Sequence, residues 1–189
     1  MVSDRLTIDL LQRALDQTGG LVSGIKPDQA RLPTPCTEFD VHALVNHVVY
    51  DLRIFKTMLT GGEREPPGPD LIGDDRSAAY RAAAQDLLST WRARGTEGML
   101  KTRMGEFPVK WAIGQHVSDI AVHGWDIARS TGQQTDFDPE VGELALEWAR
   151  DNLKPQLRGQ AFGAEVPVAP DAPLYDRVAG FFGRDPRAW

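Results

Sequence analysis

Two pairs of polar residues stand four apart in otherwise apolar stretches. Asp119 and His123 lie within V-S-D-I-A-V-H-G-W-D-I-A, residues 117–128, and His47 and Asp51 lie within L-V-N-H-V-V-Y-D-L, residues 44–52. On a helix that spacing stacks both members on one face. A carboxylate and an imidazole in an apolar helix are costly unless they are paired, hydrogen-bonded or bound to a metal. One turn of helix also lets two side chains grip one ion, as the two histidines of an H-E-x-x-H helix do. His47, Asp119 and His123 are therefore candidate metal ligands. Two imidazoles and one carboxylate leave positions open on a divalent ion, the mark of a catalytic rather than a structural site. The set suits zinc, and also iron(II), nickel or manganese. The alternative reading is a buried Asp–His pair that ties two helices together.

Other polar residues carry double readings. Asp51 either accepts from His47 and orients it or pairs at the surface with Lys56 or Arg53. His116, two turns before His123, lines a cavity mouth or packs. Asp126 is expected to pair with Arg129 or to cap a loop. His42 points away from His47. Cys36, just ahead of the helix that carries His47, reads as inert packing, with a thiol role as the other reading. No general acid or base is named by the sequence.

The elements that position these residues are helices. Lys110 to Thr131 contains no proline and is apolar in nearly every direction, which predicts a buried helix. Asp40 as N-cap and Gly61-Gly62 as stop predict a helix over Val41–Thr60. Its apolar stripe is Val41, Leu44, Val45, Val48, Leu52, Phe55 and Leu59. Ser3 as cap predicts a first helix to about Thr18, ended or weakened by Gly19-Gly20, with a short continuation towards Ile25. A third helix is expected over Asp75–Arg94, after a loop at 61–75. Gly95 to Pro108 reads as irregular or a short hairpin. Asp138 and Pro139 open another helix that ends near Leu153. A short helix is expected at Tyr175–Phe182, inside a tail that wraps the body. The fold class is all-α: an up-down four-helix bundle with an additional C-terminal helix and a Pro-rich tail. The chain is expected to be one domain over 1–189, with the bundle at about 1–155 and the tail at about 156–189.

The 189 residues, 41% hydrophobic and 25% charged, suit a globular core of this size. A net charge of −6 without a basic cluster argues against nucleic acid as a partner. No stretch has the length and apolarity of a membrane span, and the first residues lack a signal-peptide core. A single cysteine fits a reducing compartment, so a cytoplasmic location is expected. Monomer and homodimer both stay open.

Three segments resemble a known family. P-T-P-C-T-E-F-D-V-H-A-L-V-N-H-V-V (33–49) and D-I-A-V-H-G-W-D-I-A-R-S-T-G-Q (119–133) are similar to the two signatures of the mycothiol-dependent maleylpyruvate isomerase-type metal-binding domain, of the DinB-like four-helix bundle superfamily. F-G-A-E-V-P-V-A-P-D-A-P-L-Y-D-R-V-A-G-F-F-G-R-D-P (162–186) resembles its ending. The resemblance implies a metal held by His47, Asp119 and His123, although the isomerase itself carries glutamate where this chain has Asp119. It also implies a low-molecular-weight thiol such as mycothiol as co-reactant. The expected function is a divalent-metal-binding protein acting as a thiol-dependent transferase or isomerase on a small electrophilic substrate. A metal-dependent hydrolase and a non-catalytic metal- or small-ligand-binding protein are the alternatives, since a shared fold does not fix function.

Overall fold

The computed structural model describes residues 5–64, 66, 68, 70–102, 105–134, 136–153, 158 and 162–189. Its helices are α1 (Ile8–Gly24), α2 (Val41–Thr60), α3 (Arg76–Arg94), α4 (Val109–Thr131), α5 (Pro139–Asn152) and α6 (Leu174–Phe181). Between α3 and α4, β1 (Met99–Thr102) pairs antiparallel with β2 (Gly105–Pro108), with Leu100 opposite Phe107.

Local chemistry sets most of these boundaries. The side chains of Asp40, Asp75 and Asp138 each accept a backbone N–H of the first helical turn. That satisfies donors a helix start leaves unpaired. Gly61 and Gly132, at φ 69° and 65°, end α2 and α4 in the left-handed conformation that suits glycine. The first helix departs from expectation at both ends. Its cap is Thr7, whose Oγ1 accepts from Leu10 N at 3.1 Å, and the expected cap Ser3 lies outside the described residues. The helix also continues through Gly19-Gly20 to Gly24, because Gly19 lies close under the ring of Tyr80 on α3, which leaves little room for a larger side chain.

The bundle is built from α1 to α4. Tyr80 Oη donates to Leu15 O at 3.0 Å and Arg76 to Ile25 O at 3.0 Å, so α3 runs antiparallel to α1. Thr18 Oγ1 donates to Ile120 O, and Gln133 Nε2 to Leu21 O, so α4 runs parallel to α1. On the other side Phe55 stacks on His116, while His47 meets His123, which makes α2 antiparallel to α4. The direction sequence is up, down, down, up. Ahead of α3, Leu71 lies back along α2, its N donating to Asn46 Oδ1 at 2.6 Å.

α4 is the axis of the molecule. It is buried on nearly every side, including the polar residues His116, Ser118, His123 and Asp126. α5 covers the face that the four-helix core leaves open. Trp148 sits directly over Gly114, with no space for a Cβ there, and donates to Trp111 O at 3.1 Å. α6 packs on α5 and α4, and Tyr175, Val178, Ala179 and Phe182 join the core. No helix among the described residues is long and apolar enough to cross a membrane.

Candidate metal centre

The apolar faces of α2 and α4 meet where their polar residues are embedded. The rings of His47 and His123 lie 5.2 Å apart, edge to face. His47 is flanked by Phe39, stacked at 4.9 Å, and its Nε2 lies 3.0 Å from Asp51 Oδ2. Asp51 thus sits against His47 and not at the surface; Lys56 pairs instead with Asp86 at 2.7 Å. Ligand atoms of His47, Asp51 and His123 fall within 4.8 Å of one another. Asp119 stands beside this group, with Oδ1 3.8 Å from His123 Nε2. Its Oδ2 is buried and has no hydrogen-bond partner among the described residues. Of the residues expected as ligands, His47 and His123 come together with Asp51, and Asp119 stands beside His123.

The other nitrogen of His123 faces the opposite way. Nδ1 lies 3.1 Å from Asp126 Oδ2, and Asp126 is fully buried. Arg184 closes the chain of contacts, with Nε 3.2 Å from Asp126 Oδ1 and Nη2 2.9 Å from Oδ2. The expected pairing of Asp126 with Arg129 is wrong. Arg129 turns outward to Asp176 at 2.7 Å, and Asp126 turns inward because only there do a cation and an imidazole neutralise it. Asp126 was expected to pair elsewhere, and Arg184, within the G-R-D-P of the ending, was not among the expected site residues.

Electrostatics follow from burial among like and unlike charges. Burial lowers the His47 pKa to about 4, helped by the nearby His123. Burial raises Asp51 to about 8, reinforced by the charge of Asp119. For His123 burial acts downward, but the Asp119 and Asp126 carboxylates outweigh it and the net shift is upward. Burial works to raise Asp126, yet the His123 hydrogen bond and Arg184 hold it below the usual carboxylate range. Burial pushes the Cys36 thiol up to about 11. Its sulfur lies near His123 and Asp126. A thiol so disfavoured as thiolate behaves as packing.

The site opens on a cavity of about 340 Å³ lined by Phe39, His42, Asn46, His47, Tyr50, Asp51 and Arg64. His42 shares this cavity with His47, contrary to the expectation that it points away, because the wall spans a broad arc of α2. At the rim Arg64 Nε donates to Tyr50 Oη at 3.1 Å, with its guanidinium 5.5 Å over the Tyr50 ring. His116 is not at the mouth. It is wholly buried, stacked on Phe55 at 3.7 Å, and accepts from Trp91 Nε1 at 3.3 Å.

These residues fit a divalent cation. A buried carboxylate oxygen without a donor is a destabilising feature, and Asp119 Oδ2 is such an atom. Two imidazoles and a carboxylate converging beside it form a donor set that transition ions accept.

Fold and site together define a helical-bundle protein with a histidine–carboxylate cluster that opens on a cavity. The family description "Mycothiol maleylpyruvate isomerase N-terminal domain" matches residues 11–128, well over half of the chain, and the chain belongs to that family. Two relatives from strains of Mycobacterium tuberculosis, the uncharacterized proteins Rv0738 and MT0763, are each 34% identical over 186 residues, covering 93% of this chain and 96% of the relative. A crystal structure of a histidine-to-alanine mutant of the mycothiol-dependent maleylpyruvate isomerase superposes with a TM-score of 0.61 at 14% identity. The match covers 88% of this chain and 75% of that one, and shows the DinB-like bundle fold.

Proposed function

We propose that the protein binds one divalent ion, zinc in the first place, through His47, His123 and Asp119, and uses a low-molecular-weight thiol of the mycothiol type to transfer to, or isomerise, a small electrophile. The observation that carries the reading is the meeting of the half-buried His47, which lines the cavity, with the buried His123, beside which stands the unpartnered Asp119 Oδ2. A divalent ion there supplies Lewis acidity, which keeps a coordinated thiol deprotonated at neutral pH.

The chain's own groups do the rest. Phe39 and Asp51 fix the plane of His47 from two sides. Asp126 holds Nδ1 of His123 and leaves Nε2 for the ion. The aromatic walls Phe39 and Tyr50 shield the reacting thiol from bulk water. Arg64 and His42 at the rim favour an electrophile that carries a carboxylate. The substrate class of the structural neighbour, maleylpyruvate, has that character.

The test is turnover of maleylpyruvate and of a panel of small electrophiles, with and without mycothiol. Expected is consumption that requires both thiol and metal and is lost in His123→Ala. Thiol-dependent turnover that survives His123→Ala unchanged contradicts the reading. Turnover that needs the metal but no thiol replaces it with a hydrolase.

A further inference from the structure

The C-terminal segment resembling the family's ending has no part in the reading so far, yet its arginine reaches the site. We infer that Arg184 is a positioning residue for the metal centre, acting through Asp126 on His123, so that the centre is complete only when the C-terminal segment is docked. This inference rests on the metal-binding reading above.

The geometry is specific. Phe182, 1% exposed, anchors the end of α6 in the core. Gly183 follows at φ +87°, packed so closely on Gly163 that no Cβ fits. That turn sends the Arg184 side chain inward. Its backbone N donates to Ala179 O at 3.0 Å and its Nη1 to Phe182 O at 2.9 Å. The remaining donors grip both oxygens of Asp126, and Asp126 Oδ2 in turn meets His123 Nδ1. Asp126 is thereby left no freedom to rotate, and neither is the imidazole it holds.

A stability role alone does not account for this arrangement. A buried ion pair is seldom better than apolar side chains of the same volume. What the pair does that apolar residues cannot is hold an imidazole by one nitrogen and aim the other. Carboxylates in that position set the orientation and basicity of metal-binding histidines. Here the carboxylate itself is held by a residue 58 positions further along the chain. Linkage makes the effect reciprocal: an ion that favours the held His123 also favours the docked segment.

The experiment uses the full-length, tag-free protein and zinc or cobalt(II) alone as probe. Affinity is read by chelator competition, the ligand field by the cobalt(II) absorption spectrum, and docking by amide hydrogen exchange over 174–186. The variants are Arg184→Gln, Arg184→Lys and the double variant Asp126→Asn with Arg184→Gln. The double variant leaves no buried charge uncompensated, so it carries the comparison if Arg184→Gln fails to fold. Expected is a fall in zinc affinity of about 10- to 100-fold in the folded glutamine variants, an altered cobalt spectrum, and partial recovery in Arg184→Lys. Zinc is also expected to slow exchange over 174–186 in the wild type and not in the double variant. Folded variants with wild-type affinity and spectrum overturn the positioning role while leaving the metal centre standing. A wild-type protein that binds neither ion overturns the metal reading, and the positioning role with it.

Discussion

Asp126→Ala is expected to lower the free energy of unfolding by about 3–5 kcal/mol, the range for removing one partner of a buried ion pair. The substitution leaves the Arg184 guanidinium, itself 8% exposed, without its carboxylate, and His123 Nδ1 without its partner. For a chain of this size that corresponds to a drop in Tm of roughly 6–20 °C. The cause is the uncompensated charge rather than the lost contact. Replacing both members together, Asp126→Leu with Arg184→Met, is therefore expected to recover most of the loss. Thermal unfolding of the two variants, both metal-free, checks this. If the double variant is as unstable as the single one, the pair was holding packing and not balancing charge.

The second large effect is a pH dependence. Burial lowers the His116 pKa from 6.5 to about 3. Phe55 lies on its face and Trp91 donates to its Nδ1, while Nε2 has no partner among the described residues. The unfolded chain takes up this proton near pH 6.5 and the folded one does not. The contribution is therefore intact above about pH 6.5 and erodes as pH falls towards 3, by roughly 1.4 kcal/mol per unit. His116→Gln keeps an acceptor near Trp91 and cannot titrate. Denaturant unfolding between pH 7 and pH 4.5 is expected to show a shallower loss of stability in the variant, by up to about 3 kcal/mol over that span. His47, lowered to about 4, still titrates in both proteins, so the comparison isolates His116. Parallel pH profiles contradict the assignment.

What could be read from the sequence divides along physical lines. α2 runs from Val41 to Thr60 as expected, because Asp40 and Gly61 are signals that act within one turn. The full burial of α4 was legible from its lack of a polar face. The start of α1 was not, since Ser3 and Thr7 are both acceptable caps and only packing decides between them. Its passage through Gly19-Gly20 depended on the Tyr80 ring of another helix. At the site, the four-residue spacings place His47 with Asp51, and Asp119 with His123, on one face of their own helices, because helix geometry is local; the meeting of those two faces is set by packing. Whether His116 lines a mouth or fills the core depends on Phe55 and Trp91, which periodicity does not bring together. Asp126 and Arg184 meet only because the tail folds back over α4, and nothing in their neighbours announces it.

Metal content tests the proposed centre most directly. Elemental mass spectrometry on tag-free protein, beside His47→Ala and His123→Ala, is expected to find one divalent ion per chain in the wild type and none in either variant. Wild-type protein that holds no ion after zinc, nickel and iron(II) are each offered contradicts it. Asp119 and His123 are then a structural pair between buried helices, and the thiol chemistry has no centre to act from.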